Sequence, residues 1–245
     1  MCGHRGGTAA SGNQMKRLIQ AFVTSMILAA PLQAEDSPVV VELYTSQGCS
    51  SCPPADEIFH ALSDRDDVIA LALHVDYWDY IGWKDEFADP RNAERQRAYA
   101  TVAGRRSIYT PEMIVNGTTD IVGAKPMQLS DAIAMHRETP SPVAVSLERD
   151  GNSVRIDARP REGRVGWSVV HILRYVPRRE ARITRGENAG RTLDYANVTQ
   201  DWTVLGEWDG RAPLELEAEA PGDLPVVVLV QAGNMGPILG AARVR

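Results

Sequence analysis

A chain of 245 residues, 44% hydrophobic and 24% charged, can bury one sizeable core or two modest ones and reads as soluble and globular. Its formal net charge is -6. Setting aside residues 1–34, which hold Arg5, Lys16 and Arg17 but no acid, makes the remainder more acidic still, which argues against nucleic acid and anionic lipid as partners.

In chain order, the first segment is "MKRLIQAFVTSMILAAPLQA" from Met15. Lys16 and Arg17 precede an apolar run that closes on small residues at Ala34, the layout of a secretory signal peptide and too short a run for a comfortable membrane span. Residues 1–14 are Gly-rich and lack an apolar pattern, so Met15 is a candidate true start. The expectation is an exported protein, periplasmic or secreted, cleaved near Ala34 and not stably inserted in a membrane. Cleavage would also remove Cys2 and leave Cys49 and Cys52 as the only cysteines, which in an oxidising compartment should meet one another.

From Val39 to about Glu138, strand-like and helical runs alternate. "VVVELYT", "PADEIFHALSD" and "VIALALHVD" predict a βαβ unit. "DPRNAERQRAYATVAG" predicts a helix, "EMIVNGTTDIVG" a hairpin about Asn116-Gly117, and "PMQLSDAIAMHRE" a further helix. After the prolines of "TPSPVAV" the pattern turns all-β: a hairpin about Asp150-Gly151, then strand runs "WSVVHILRYV", "ARITR", "DWTVLGEW", "PLELEAEA" and "VVVLVQ". The fold expected is an α/β domain over residues 38–140, with a helical insertion at about 77–105, followed by a small all-β sandwich domain over 141–245.

The chemistry concentrates at "TSQGCSSCPPAD". The first strand should end near Thr45 and a helix should begin at the cysteines, with Pro53 and Pro54 in its first turn, where a missing N–H costs nothing. Cys49 then faces the free N–H groups and the positive end of the helix, which favour thiolate. This makes Cys49 the candidate nucleophile and Cys52 the resolving thiol. Asp56 and Glu57 oppose that effect. Thr110-Pro111, just ahead of a strand, is a candidate cis peptide that would help bind an extended substrate.

These motifs carry a resemblance. "VELYTSQGCSSC" resembles the first strand and active-site turn of glutaredoxins, and "TPEMIVNGTTDIVG" their Thr-x-Pro strand and hairpin. The order of elements is similar to that of the thioredoxin superfamily. Together, "TSQGCSSCPPAD", "HVDYWDYIGWKD", "YTPEMIVNG" and "RGENAGRTLDYANV" resemble a bacterial family of secreted proteins with a domain of unknown function, numbered 1223. The resemblance implies a thioredoxin-like domain acting in thiol-disulfide exchange on a thiol or disulfide substrate, most simply a protein. Cys49, Cys52 and Pro111 would be catalytic, and no diffusible cofactor is required, with glutathione an open alternative. A buried acid assists the second cysteine in thioredoxins, and Glu42 is the candidate proton acceptor here. The serines between the cysteines depart from both relatives.

Thr110, Tyr77 and Trp78 are candidate substrate contacts. Tyr80, Trp83 and Phe87 fall on one helical face, and core packing is the expectation for them. Two rival readings stay open. Cys49, Cys52 and His74 could bind copper(I) as in an exported chaperone, although no further ligand completes a zinc set. Alternatively, the disulfide is a staple in a non-catalytic binding protein. The loop Arg185–Arg191, with Gly186, Asn188 and Gly190, is expected to pack near the cysteines.

Overall fold

The computed structural model describes residues 37–245 together with Gly3; the signal-peptide segment lies outside the described residues. β1 (Val39–Thr45), α1 (Pro53–Ser63) and β2 (Val68–His74) form the expected βαβ unit, with β1 and β2 parallel from Val39↔Val68 to Thr45↔His74. Both strands are buried along their whole length, which is why they read as continuous apolar runs rather than alternating ones. A single 3-10 turn (Asp79–Ile81) and α2 (Pro90–Val102) follow. β3 (Glu112–Val115) and β4 (Thr119–Val122) make the predicted hairpin. Asn116 and Gly117 both have positive φ, 46° and 73°, as a two-residue primed turn requires. α3 (Pro126–Glu138) closes this half.

The two faces of β1 and β2 take different partners. Val41, Leu43, Ala70 and Ala72 pack with Ala55 and Phe59 of α1 and with Leu129 and Ile133 of α3. Val40, Tyr44, Leu71 and Leu73 pack on the other side with Ala93 and Tyr99 of α2. Strand parity therefore decides which side chains can reach α1.

The remaining strands are β5 (Val143–Asp150), β6 (Ser153–Pro160), β7 (Ser168–Arg182), β8 (Thr192–Trp208), β9 (Leu214–Glu219), β10 (Val226–Ala232) and β11 (Ile238–Val244). They correct the two-part architecture expected from sequence. The protein is mostly β, and one mixed eight-stranded sheet in the order β11-β10-β7-β8-β2-β1-β3-β4 runs through both halves. It is therefore not a thioredoxin-like α/β domain followed by a separate sandwich. β8 lies parallel to β2 at Ala72↔Val198, with Asn197 Nδ2 and Thr199 Oγ1 each donating to a β2 carbonyl, Ala70 O and Ala72 O, at 3.0 Å. The core on the α2 side is also shared, since Leu173, Tyr175, Val227 and Leu229 join Val40 and Leu71 in it. Strands β5, β6 and β9 form a small second sheet that covers Val170, Ile172, Val226, Val228 and Val230.

The long β7–β8 ribbon explains the misreading. "WSVVHILRYV" from Ser168 on and the first two residues of "ARITR", Ala181 and Arg182, belong to one strand that runs through Pro177. The register passes from Val176↔Val198 to Arg178↔Ala196, which puts Pro177 opposite Asn197, itself at φ 51°. Pro177 thus sits in an unshifted stretch of the ladder, opposite a residue whose own backbone is in the left-handed region.

Candidate functional site

The turn after β1 is built by short-range hydrogen bonds. Cys49 N–H donates to Ser46 O at 3.1 Å, Cys52 N–H to Cys49 O at 3.2 Å, and Asp56 N–H to Cys52 O at 3.1 Å, so Cys52 caps α1. Cys49 and Cys52 form a disulfide, with Cα atoms 5.4 Å apart. Both cysteines are buried at 0% exposure, whereas Ser50 and Ser51 between them are exposed. The bond lies just beneath the surface of the turn.

Two walls enclose it. One is the aromatic segment after β2. A Cβ on Gly48 would sit 3.1 Å from Trp78 Cβ and 3.3 Å from Ile81 Cδ1, so glycine is needed there for room. Trp78 Nε1 donates to Thr110 Oγ1 at 2.7 Å, tying this wall to the Thr110-Pro111 peptide, which is cis. Tyr77 donates to Gln96 Oε1 at 3.2 Å, and Gln96 Nε2 donates in turn to Tyr109 O. Trp78 therefore packs on Gly48 of the cysteine turn and is bonded to Thr110, and Tyr77 is tied through Gln96 to Tyr109, the residue before Thr110. The aromatic segment is not one helical face: Phe87 is buried and Trp83 half-buried, while Tyr80 is 81% exposed and stacks on Trp78 with ring centroids 6.3 Å apart.

The second wall is the loop between β7 and β8, which packs on the cysteine turn as expected. Asn188, 1% exposed, donates from Nδ2 to Gln47 O and to Cys49 O, both at 3.0 Å, and accepts from Arg191 Nη1 at Oδ1. Gly186, at φ +76°, lies where a Cβ would be 3.3 Å from Trp83 Cβ. Trp83 Nε1 donates to Gln47 Oε1 at 2.8 Å, locking the loop, the turn and the aromatic wall together.

Glu42 is corrected as the proton acceptor. It shares a sheet face with Val40 and Tyr44, opposite α1 and the disulfide. There Arg95 donates to it from Nη2 at 2.7 Å and from Nε at 2.9 Å, and the hydroxyls of Tyr44 and Tyr99 complete its shell. It is a buried ion-pair partner.

The acid on the α1 side is Asp56, which sequence reading weighed only as an opposing charge. Thr45 Oγ1 donates to Asp56 Oδ1 at 2.7 Å. Burial pushes this carboxyl up to about 7, against the lowering effects of the His74 charge and the Thr45 hydrogen bond. His74 also lies on this face, with Nδ1 2.8 Å from Asp85 Oδ2. Asp85 in addition accepts the N–H groups of Gln47 at 2.8 Å and Phe87 at 2.9 Å. Burial alone would raise the Asp85 carboxyl, but the His74 charge and these donors outweigh it and hold the group below its usual range. Tyr195 of β8 packs edge-on to His74 at 4.6 Å. Asp56 Oδ2, His74 Nε2 and the Tyr195 hydroxyl are all buried without a hydrogen-bond partner.

The copper(I) alternative needed Cys49, Cys52 and His74 together. His74 is instead engaged with Asp85 at 0% side-chain exposure, and among the described residues no group of three or more His, Cys, Asp or Glu side chains is arranged to hold a metal ion. No described helix is long and apolar enough to cross a membrane.

Comparison with known proteins places this geometry. Protein AGR_C_4864 from Agrobacterium tumefaciens is 34% identical, over 86% of this chain and 95% of that one, with a TM-score of 0.74. HBP35 of Porphyromonas gingivalis shares the fold at 16% identity and a TM-score of 0.57, over 85% of this chain and 75% of that one. A search of the curated proteins finds no match. The family model for proteins of unknown function DUF1223 matches residues 40–231, and the chain belongs to that family.

Proposed function

We propose that the protein is an exported thiol-disulfide oxidoreductase of the cell envelope whose working group is the Cys49–Cys52 disulfide. A substrate thiolate attacks Cys49 Sγ, the Cys49–Cys52 bond breaks, and Cys52 leaves as a thiolate that takes up a proton. A second substrate thiolate then attacks the mixed disulfide, so that the substrate pair is oxidised by two electrons and the protein dithiol is reduced. Run backwards, the same steps reduce a substrate disulfide. The observation that carries this reading is the placement of the disulfide at the N-terminus of α1, directly after Gly48, which packs on Trp78, whose Nε1 donates in turn to Thr110 Oγ1. A ring closed by two intervening residues constrains the unfolded chain little, so a staple gains little from this pair.

The burial of Cys49 sets a condition on the reaction. With 0% exposure for both cysteines, the sulfur becomes reachable only when the turn opens; the group at Cys49 Sγ is the hydroxyl of the exposed Ser51, 3.4 Å away. The same burial favours a second reading, a structural disulfide in a binding protein. A Cys52→Ser variant separates the two: exchange predicts that Cys49 captures thiol reagents and substrates as stable mixed disulfides in the native fold, whereas a structural bond predicts that Cys49 stays unreactive until the protein unfolds.

A further inference from the structure

The inner face of α2 carries buried polar side chains, Asn92 and Gln96, beside Ala93, Tyr99 and Ala100. A buried amide is costly unless it is bonded, and each of these two reaches a different part of the chain. Asn92 Nδ2 donates to His74 O, at the end of β2, at 2.8 Å. Gln96, at 0% exposure, reaches the segment that enters β3.

Three bonds use the Gln96 amide completely. Nε2 donates to Tyr109 O at 2.7 Å and to Glu112 Oε2, and Oε1 accepts the Tyr77 hydroxyl at 3.2 Å. Its orientation is fixed, because Tyr109 O can only accept and the amide nitrogen must therefore face it. Tyr109 and Glu112 stand on either side of Thr110-Pro111, so one buried side chain brackets that pair from both ends. Arg105 ties the flanking residues together a second time: it donates to Glu112 Oε1 and to the Tyr109 hydroxyl, and lies 3.2 Å from Asp120 on β4. Trp78 Nε1 fixes a third point, Thr110 Oγ1. Inside this frame the backbone N–H and carbonyl of Thr110 take no hydrogen bond among the described residues. Backbone groups held still and left unpaired are what an extended chain needs for strand-like pairing. Trp78 is also the side chain that packs on Gly48, the residue before Cys49, so this segment is one side chain away from the cysteine turn.

We infer that Gln96 is a positioning residue for substrate binding: by holding Tyr109 and Glu112 it sets where Thr110 presents its backbone to a polypeptide disulfide that reacts at Cys49. This rests on the reading of the Cys49–Cys52 pair as redox-active. Gln96 touches neither sulfur. It acts on the capture of a chain long enough to reach Thr110 and not on the breaking of bonds at Cys49, so a small disulfide is indifferent to it. Gln96 lies outside every motif that carries the resemblance of the sequence to known redox proteins.

The test compares two substrates. The reduced protein is mixed with excess insulin or, separately, with excess hydroxyethyl disulfide; each reaction turns one substrate disulfide into two thiols as the Cys49–Cys52 bond re-forms. Gln96→Leu removes all three amide bonds. The insulin concentration that half-saturates the rate should rise about tenfold, the equivalent of one lost hydrogen bond, while the limiting rate and the rate with hydroxyethyl disulfide keep their wild-type values. The indole N–H resonance of Trp78 should shift as well, because its acceptor Thr110 moves. An unchanged half-saturation, an unmoved Trp78 resonance, or an equal loss with both disulfides would each overturn the inference while leaving the exchange chemistry intact. A wild type that reduces neither disulfide would remove the oxidoreductase reading, and the inference with it. Should Gln96→Leu not fold, Gln96→Glu decides by the same comparison, since a carboxylate keeps the Tyr77 bond and cannot donate to Tyr109 O.

Discussion

Asn188 is hydrogen-bonded to Cys49: its Nδ2 reaches the Cys49 carbonyl at 3.0 Å across 139 residues of sequence. The cysteine turn belongs to one half of the chain and the loop bonded to its backbone to the other, so the two halves hold the turn together. Asn188→Ala removes two donated bonds and leaves the carbonyls of Gln47 and Cys49 without them, which should cost about 1–3 kcal/mol in a denaturant melt. The same variant should be reduced faster by dithiothreitol than the wild type at equal pH.

Trp78 should act on large partners and not on small ones. Trp78→Ala deletes the bond to Thr110 and the wall beside Gly48. Exchange with an unfolded protein disulfide is expected to fall several-fold while the rate with dithiothreitol stays level or rises. A parallel loss with both would show that Trp78 only supports the fold.

Glu42 and Arg95 provide the contrast to the acid beside α1. Glu42→Ala strands a largely buried guanidinium, and the expected loss of stability is about 3–5 kcal/mol. Because Glu42 faces α2 rather than α1, the pH profile of disulfide exchange in the surviving folded protein should keep its wild-type shape. A changed profile would show that Glu42 takes part in the exchange after all.

Stability should also depend on pH through Asp56. Its carboxyl titrates at about 7 in the folded protein, against about 3.9 in an unfolded chain. A raised folded-state value gives stability that is complete below the unfolded value and is lost as pH rises through the folded one. The wild type should therefore lose about 1.4 kcal/mol per pH unit between roughly pH 4 and pH 7 relative to Asp56→Asn, with no further divergence above. Parallel stability curves for the two proteins would show that Asp56 is not held protonated.

Much of this was legible in the sequence where local rules decide. The Cys-Ser-Ser-Cys turn at the start of α1, the prolines of α1 and the Asn116-Gly117 hairpin each declare themselves within a few residues and lie where the sequence places them, but Cys49, expected to be accessible and more exposed than Cys52, is as buried as Cys52 at 0%. The joining of the halves was not legible, because β8 meets β2 through a pairing between Ala72 and Val198 that leaves no local signal. Pro177, opposite an asparagine in the left-handed region, also disguises the length of the β7–β8 ribbon. Glu42 is an acid on the first strand, but parity with Val40 and Tyr44 turns it to the face opposite α1. Asp56 carries its meaning only once Thr45, His74 and Tyr195 are seen around it, and these come from three separate strands.

Thiol-disulfide exchange requires a disulfide that can be opened without unfolding the protein. Equilibrating the native protein in graded dithiothreitol redox buffers, trapping free thiols by alkylation and weighing the products measures this directly. The prediction is reversible reduction of Cys49 and Cys52 with a potential above about −300 mV, the range below which structural bonds fall, while the circular dichroism of the sheet is retained. A bond that resists reduction until the sheet signal is lost would contradict it.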